Sequence, residues 1–377
     1  MDFSKLPFEA AAMLEGLRPW VECESPTFDT SAVNRMMDLA AHDFAVLGAT
    51  VERIPGRMGL GGSLRASFAP SGALQPGILV SGHLDTVHPV GTLDVLPFRI
   101  EANRAYGPGI LDMKGGNFIA FEAMKQLIRA GIATRLPVTF LLTPDEEIGT
   151  PSTRELIEME AARNRYVLVP EPALEDNGVV TGRFAIARFN LTARGKPSHA
   201  GVSPKSGRSA IREMARKVLE IDGMSGDDCT FSVGVIQGGL WVNCISSLCT
   251  AQALSMAKTD EDLEAGIARM MALSGTENEV EFTVTRGVTR PVWKPGQPQT
   301  MALYERAAAL AAELGFALPH GSSGGGSDGN FTGAMGVATL CGLGVRGAGY
   351  HTLEEHLEID SLIDRGRLMA GLFALLD

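Results

Sequence analysis

The chain has 377 residues, 45% of them hydrophobic and 20% charged, and its formal net charge at pH 7 is −11. That length predicts two or three domains whose cores need no disulfide or metal to hold them, which excludes the small stapled scaffolds. The acidic balance, without a long run of lysine and arginine, excludes a broad phosphate-binding surface, so no nucleic-acid partner is expected.

The cysteines and the N-terminus indicate the cellular context. The five cysteines are widely spaced and include no C-x-x-C pair, so a disulfide framework is not expected. The N-terminal residues show no basic stretch followed by an apolar run, and no run of about 18 apolar residues occurs in the sequence. We therefore expect a cytoplasmic protein with no membrane partner.

The first part of the chain alternates between helix and strand patterns. An amphipathic helix pattern ends at Gly48, a residue type that commonly terminates helices. Buried strands are predicted at 78–80, 138–142 and 166–169, and a helix pattern over 118–128 separates the first two. This alternation predicts an α/β domain with a largely parallel sheet, in which functional residues follow the ends of the strands.

The pattern changes near residue 183. Apolar residues then alternate with polar ones, and the order of strands and helices becomes βαββαβ, which is typical of a ferredoxin-like unit. A proline-rich connector follows, after which the helix and strand alternation resumes. We expect residues 183–289 to form a domain inserted into a mixed, largely parallel α/β domain of residues 1–182 and 290–377.

The first candidate site residues follow the strand at 78–80. His83 and Asp85, in Gly82-His83-Leu84-Asp85-Thr86, stand two positions apart and therefore leave the strand on the same side. His83 is a candidate metal ligand, and Asp85 can accept the proton on the second ring nitrogen and so fix the ring. A histidine and an aspartate paired only for local stability are the alternative.

Asp112 stands in a glycine-rich turn ahead of a helix pattern, in Tyr106-Gly-Pro-Gly-Ile-Leu-Asp112-Met113-Lys-Gly-Gly. Unpaired backbone donors and the helix dipole favour an anion at such a place, so this carboxylate is either a helix cap or a metal ligand. The glycines on both sides favour a close approach of the backbone, which a plain cap does not require.

Further carboxylates follow the next two strands. Glu146 and Glu147 come just after the strand at 138–142, and their like charges repel unless a cation lies nearby. One of them can bind a metal while the other moves a proton; a solvated acidic loop is the alternative. Glu171 follows the strand at 166–169 and lies between two prolines, which restrict its backbone.

Two histidines, His351 and His356, lie near glycine-rich turns late in the chain, and each can either complete a site or lie on the surface. Together, the imidazoles and carboxylates form the nitrogen and oxygen ligand set that zinc, manganese or cobalt accepts, with no thiolate among them. Their number fits a hydrolytic centre with two metal ions.

Seven segments of the chain also carry a resemblance to a known family. They are SGHLDTV, YGPGILDMKGG, TPDEEIG, VPEP, GKPSHAG, GGGSDGNF and GAGYH, in that order. In sequence and spacing they resemble the co-catalytic zinc metallopeptidases, which include glutamate carboxypeptidase, acetylornithine deacetylase, succinyl-diaminopimelate desuccinylase and the aminoacylases. The match spans nearly the whole chain and is nearest to the glutamate carboxypeptidase branch.

The resemblance implies which residues hold the two metals. His83 and Glu171 would complete one metal site. Glu147 and His351 would complete the other, and Asp112 would bridge the two. The family's cis peptide bond would lie between Asp112 and the next residue.

The resemblance also implies the roles of the neighbouring residues. Glu146 would be the general base, and Asp85 would orient His83. His356 matches no family role and is expected on the surface.

For the inserted domain, the resemblance implies dimerisation and lid functions. His199, in Ser198-His199-Ala-Gly, would reach the site of a partner subunit and stabilise the developing oxyanion, with Asn243 as its companion. A homodimer formed by edge-to-edge pairing of the inserted domain would bring this about.

One position departs from the family pattern. Glutamate carboxypeptidases carry an arginine for the terminal carboxylate of the substrate where this chain has Met256, which cannot form that ion pair. Either the substrate lacks the carboxylate or another cation binds it. The candidate cations are Arg183, Arg208, Lys258 and Arg346.

These observations lead to one expected function and two alternatives. We expect an enzyme with two divalent ions, zinc ahead of cobalt or manganese, that uses metal-activated water to hydrolyse an amide bond. Its substrate would be a small N-acyl amino acid, dipeptide or related amide. The alternatives are an enzyme of the same fold for another carbon–nitrogen bond, such as deamination of an amino-substituted acid, and a binding protein without turnover.

Overall fold

The computed structural model describes residues 2–69 and 76–377. Its helices are α1 (Ala10–Glu22), α2 (Thr30–Val46), α3 (Gly115–Arg129), α4 (Arg154–Ala162), α5 (Ala210–Asp222), α6 (Asp260–Met271), α7 (Pro298–Glu313), α8 (Gly329–Ala334) and α9 (Ile359–Leu375). Short 3-10 turns lie at Phe3–Lys5, Thr92–Asp94, Glu146–Ile148 and Pro204–Ser206, and a π-helical turn at Ile110–Lys114. No helix within the described ranges has both the length and the apolar character to cross a membrane.

The strands are β1 (Thr50–Ile54), β2 (Ser63–Phe68), β3 (Gly77–His83), β4 (Arg99–Glu101), β5 (Arg104–Tyr106), β6 (Val138–Thr143), β7 (Asn164–Val169), β8 (Val179–Arg183), β9 (Ala185–Arg194), β10 (Ser198–His199), β11 (Cys229–Gly238), β12 (Cys244–Ile245), β13 (Leu248–Ala257), β14 (Gly275–Glu277), β15 (Val280–Arg290), β16 (His320–Ser323), β17 (Ala338–Cys341), β18 (Gly347–Ala348) and β19 (His356–Glu358).

The chain divides into two compact units. The larger unit comprises Met1–Gly182, Pro295–Ser323 and Ser327–Asp377, and the smaller unit comprises Arg183–Lys294 and Gly324–Gly326. The chain therefore leaves the larger unit at the last residue of β8 and returns to it ahead of α7, and Gly324–Gly326 belong again to the smaller unit. That the larger unit is catalytic and the smaller one a lid or dimerisation domain stays a prediction.

The larger unit is built on a mixed sheet with the strand order β1-β2-β6-β3-β7-β17-β8-β16. Its centre is parallel, because β3 pairs in parallel with β6 and β7, and β17 pairs in parallel with β7. The flanking pairs β1–β2, β2–β6 and β8–β17 are antiparallel. Every residue of β3 and β6 is buried, as is typical of parallel strands whose two faces are covered. The predicted mixed α/β sheet is confirmed.

The amphipathic helix predicted before Gly48 is α2. Its N-terminus is capped by Asp29, whose side chain accepts a hydrogen bond from the amide of Ala32. Residues at helical spacing, among them Val33 and Phe44, are buried in the core of the larger unit. This packing holds the helix against the sheet.

The smaller unit is an antiparallel sheet with the strand order β11-β13-β9-β15-β14, combined with α5 and α6. The elements β9, α5, β11, β13, α6 and β15 follow one another in the predicted βαββαβ order. Buried and exposed residues alternate along most of β9, with Phe189 and Leu191 in the core of the unit. One face of this sheet is thus packed and the other is more open, as the sequence pattern predicts.

Candidate metal centre and active site

The C-terminal ends of two parallel strands bring the first candidate residues together. His83 is the last residue of β3 and pairs in register with Thr143, the last residue of β6. The 3-10 turn Glu146–Ile148 follows β6 directly. The predicted convergence of polar residues at this edge of the sheet is therefore present.

Asp85 is fully buried, and its side chain contacts Thr27 and the start of the Glu146–Ile148 turn. Its carboxylate accepts hydrogen bonds from the amides of Glu146 and Glu147, at 3.2 and 3.3 Å, and from the Thr27 hydroxyl, at 2.7 Å. His83 Nδ1 lies 2.9 Å from the main-chain oxygen of Asp85 and 3.4 Å from Oδ1. Asp85 thus stands where it can fix the His83 ring, and it also holds the Glu146–Ile148 turn, which the sequence did not reveal.

Asp112 lies in the π-helical turn ahead of α3, between two imidazoles. Its Oδ1 is 3.2 Å from Nε2 of His83, and its Oδ2 is 3.3 Å from Nε2 of His351. Gly109, with φ of 69°, allows the tight turn that precedes it. The Asp112–Met113 peptide bond is cis, as the family resemblance implied. The two oxygens of one carboxylate therefore face two different histidines.

The remaining candidate ligands gather around these residues. His351 Nε2 lies 3.2 Å from Oε2 of Glu147, and His83 Nε2 lies 3.9 Å from Oε1 of Glu171. Two groups each have ligand atoms within 4.8 Å of one another: His83, Asp112 and Glu147, and His83, Glu146 and Glu171. The structure thus brings together all five predicted ligands, with Glu146 beside them.

Burial differs across this cluster. His83 is fully buried, and Glu146 and Glu171 are nearly so, whereas the His351 side chain is 51% exposed. His351 also has φ of 58°, a left-handed conformation that is uncommon in residues other than glycine. The cluster is closed on the His83 side and open to solvent on the His351 side.

The imidazoles and carboxylates of the cluster shift one another's pKa values. Burial raises the pKa of Glu147 to about 8, and the charge of Asp112 adds to this. Hydrogen bonds to Asp112 and Glu147 raise the pKa of His351 to about 10. Burial acts to raise the pKa of Asp112, but hydrogen bonds to His351 and His83 outweigh it and hold that pKa well below its usual range.

The neighbouring carboxylates also shift the pKa of His83. Burial acts to lower the pKa of its imidazole, but hydrogen bonds to Asp112 and Asp85 raise it well above the ordinary value. A cation requires neutral imidazoles and ionised carboxylates, so its binding to this cluster would release protons. The donor set, imidazole nitrogens and carboxylate oxygens, fits zinc, cobalt or manganese.

His199 and Asn243 lie next to each other in the smaller unit, and both are exposed. β10 pairs with β12, and the amide of Ala200 donates to the main-chain oxygen of Asn243 at 2.9 Å. His199 Nδ1 accepts hydrogen bonds from the amides of Gly201 and Val202, at 3.1 and 3.2 Å. Nε2 of His199 therefore carries the ring hydrogen and can donate it.

The cations predicted as substitutes for an arginine at Met256 all have other contacts. Arg346 forms ion pairs with Glu358 and Asp360, and Arg208 with Glu279. Lys258 Nζ lies 5.8 Å from the centre of the Phe184 ring, and Arg183 donates to the main-chain oxygen of Gly325 at 2.6 Å. These contacts leave the choice among the four open.

Another arginine shares a row of the sheet with Met256, and the sequence did not reveal it. Met256 pairs with Ile186, and Ile186 pairs on its other side with Arg290. Directly paired residues of neighbouring strands point to the same face of a sheet. Arg290 and Met256 therefore lie on the same face, two strands apart.

Two further residues near the cluster were missed or differ from expectation. Glu355 is buried, and its carboxylate accepts hydrogen bonds from the turn that carries Asp112. The only sequence signal for it is its place four positions after His351. His356, expected on the surface, is half-buried in β19, where its ring lies 5.1 Å from the Tyr106 ring.

The family model described as Peptidase family M20/M25/M40 matches residues 79–374. The chain belongs to this family. The resemblance found in the seven segments is thereby confirmed, and the chain is an enzyme of the metallopeptidase and amidohydrolase type. Neither alternative, a diverted carbon–nitrogen enzyme or a binding protein, is favoured by this membership.

Three similar proteins illustrate the relationship. Carboxypeptidase G2 from Pseudomonas sp. (strain RS-16) is 31% identical over 375 residues, which cover 96% of this chain and 88% of the relative. A succinyl-diaminopimelate desuccinylase from Janthinobacterium sp. (strain Marseille) is 24% identical, covering 78% and 82%. Human carnosine dipeptidase 1 has a TM-score of 0.79 at 15% identity, covering 99% and 98%, and so shares the fold.

Proposed function

We propose that this chain is a dinuclear metal-dependent hydrolase that cleaves an amide bond of a small N-acyl amino acid, dipeptide or related amide. The observation that carries the proposal is the position of Asp112, whose two oxygens face two different imidazoles at 3.2 and 3.3 Å. Such an arrangement suits a carboxylate that bridges two cations. The similarity to a relative named carboxypeptidase G2 supports the same reaction class.

The proposed ligands divide into two sites. His83 and Glu171 would hold one divalent ion, Glu147 and His351 the other, with Asp112 shared. When bound, zinc, cobalt or manganese ions would polarise the scissile carbonyl and lower the pKa of a water molecule.

Glu146 is the proposed general base. It would take the proton of the attacking water and pass it to the leaving amine. Its amide is held by Asp85, and its nearly buried carboxylate is near the side chains of His83 and Glu171. Because the same position suits a metal ligand, the effect of its removal on metal content separates the two roles.

We propose that His199 donates its Nε2 hydrogen to the oxyanion, with Asn243 as its companion, across a homodimer interface formed by the smaller unit. The fixed ring of His199 and the exposure of both residues support this role. β11 is an edge strand that exposes Val235 and Ile236, as a strand that pairs with a second subunit would. We also propose that the protein is located in the cytoplasm.

We further propose that Arg290 binds the free carboxylate of the substrate in place of the family arginine. It occupies the same row and the same sheet face as Met256, and the residue is 3% exposed. An arginine can bind a carboxylate through two parallel hydrogen bonds, which a methionine cannot.

The proposed function is tested by metal analysis followed by a hydrolysis screen. The purified protein is loaded with zinc, cobalt or manganese and assayed on N-acyl amino acids, dipeptides and matched amides without a free carboxylate. We expect two ions per chain and hydrolysis of the carboxylate-bearing amides. A protein that takes up no divalent ion and hydrolyses none of them would contradict the proposal.

A further inference from the structure

The carboxylate of Glu355 is buried at a point where three distant segments of the larger unit meet. It is 1% exposed. Its Oε1 accepts hydrogen bonds from the amides of Leu111 and Asp112, at 2.9 and 3.1 Å. Its Oε2 accepts one from the amide of Gly109, at 3.0 Å, and lies 2.6 Å from Nε2 of His88. Both oxygens therefore have two partners each.

The first segment is the turn that carries Asp112. Its backbone amides precede α3, where N–H groups have no partner within the helix and the dipole favours a negative charge. Glu355 satisfies three of these amides, including that of Asp112 itself. The carboxylate therefore fixes the backbone from which the Asp112 side chain reaches between two imidazoles.

The second segment is the loop that carries His351. His351 and Glu355 lie in one turn, in which the amide of Thr352 donates to Gly349 O and the amide of Glu355 donates to Thr352 O. His351 has φ of 58°, a conformation that is uncommon in residues other than glycine. The side chain of Glu355 ties the end of this loop to the turn that carries Asp112 and to His88.

The third segment follows β3 and carries His88. Its side chain is 6% exposed, and a carboxylate oxygen can only accept, so Nε2 of His88 donates to Glu355. His88 thereby links Glu355 to the stretch of chain that begins with His83 and Asp85.

We infer that Glu355, held by His88, is a positioning residue that sets the distance between Asp112 and His351 and thereby the affinity of the centre for divalent cations. This inference rests on the proposed function. Residues that orient metal ligands from behind typically contribute about 10- to 100-fold to metal affinity.

The test replaces Glu355 by glutamine and uses its neighbour as a matched control. Glu355→Gln keeps the shape of the side chain but leaves one acceptor oxygen for four donors. Glu354→Gln makes the same change one residue earlier, on an exposed side chain. Cobalt and zinc binding to the chelator-treated full chain is measured by isothermal titration calorimetry, and the visible absorption of bound cobalt reports the ligand geometry.

We expect the affinity of Glu355→Gln to fall about 10- to 100-fold, with an altered cobalt spectrum. Glu354→Gln should match the wild type in both. Unchanged affinity and an unchanged spectrum in Glu355→Gln overturn the inference. A lower melting temperature alone, with both readouts unchanged, indicates a purely structural role and overturns it as well.

Two variants of His88 test the same inference independently and decide it if Glu355→Gln does not fold. His88→Leu removes the donor, whereas His88→Gln keeps an N–H group that can donate to Glu355. We expect weaker cobalt binding in His88→Leu and near wild-type binding in His88→Gln; equal, wild-type affinity in both overturns the inference. If the wild-type protein binds no cation, both the proposed function and this inference are overturned. If the wild type binds cations and the variants bind them with the same affinity, only this inference is overturned.

Discussion

The two units of the molecule present their polar residues in opposite ways. In the larger unit, β3 and β6 are buried along their whole length, and the charged residues at their ends are buried with them. In the smaller unit, buried and exposed residues alternate along much of the sheet, and His199 and Asn243 are exposed. Candidate ligands lie in the first unit and candidate oxyanion donors in the second.

This difference in the burial of polar residues indicates which property a substitution changes in each unit. A buried charge is tolerated only with hydrogen-bond partners, and buried Asp85 of the larger unit is tied in this way to the Glu146–Ile148 turn. An exposed side chain has few such ties. We therefore expect substitutions of the candidate ligands in the larger unit to change metal binding, and substitutions of exposed residues such as His199 in the smaller unit to change turnover with the fold intact.

The largest effect is expected from Glu146→Gln, which distinguishes a general base from a metal ligand within the larger unit. Loss of a general base lowers kcat by about 10²- to 10⁴-fold, while the two metal ions stay bound. The measurements are steady-state hydrolysis and metal content per chain, with Glu158→Gln on α4 as control. Loss of one ion would mean that Glu146 is a ligand and that the proposed base is wrong.

His199→Ala tests the smaller unit. Removal of a donor to an oxyanion lowers kcat by about 10²- to 10³-fold. Because His199 is exposed, the melting temperature and metal content should not change. His42→Ala, at an exposed histidine of α2, is the control. Full activity in His199→Ala would remove the smaller unit from the chemistry.

An exchange between Arg290 and Met256 tests substrate choice. Since a hydrogen bond to a charged group contributes about 1.5 to 3 kcal/mol, Arg290→Met should lower kcat/KM about 10- to 100-fold for amides with a free carboxylate. Amides without one should be little affected. Adding Met256→Arg should restore part of the preference. Equal losses on both substrate classes would show that Arg290 serves the fold only, and the melting temperature would then fall too.

Chelation is expected to affect the local stability of the two units differently within one molecule. An ion at about 100 times its dissociation constant stabilises the protein by about 2.7 kcal/mol. Removal of the bound ions by a chelator should increase amide hydrogen exchange at the turns Ile110–Lys114 and Glu146–Ile148 of the larger unit. Exchange in β9 and β13 of the smaller unit should not change. A uniform increase in both units would argue against this contrast.

Much of the fold could be predicted because it follows from local hydrophobic patterns. The apolar runs at 78–80, 138–142 and 166–169 lie in β3, β6 and β7, and the alternation after residue 183 lies in β9. The candidate ligands were found for the same reason, since each follows a strand end or a glycine turn. Local pattern and fold agree wherever burial alone decides the structure.

What could not be predicted depends on pairing between distant segments. Glu355 binds amides 243 to 246 positions away, which no local pattern records. The row that joins Arg290 and Met256 is set by the register of three strands. The antiparallel flank formed by β1 and β2 is likewise fixed by a partner strand, β6, far along the chain.

The place of β17 in the sheet has a consequence for biosynthesis. This strand, Ala338–Cys341, lies between β7 and β8, although both of those precede the smaller unit in the chain. As the polypeptide leaves the ribosome, all of the smaller unit emerges before the strand that completes the centre of the larger sheet. The nascent chain can therefore form its ferredoxin-like part first, whereas the proposed metal centre has to wait for His351.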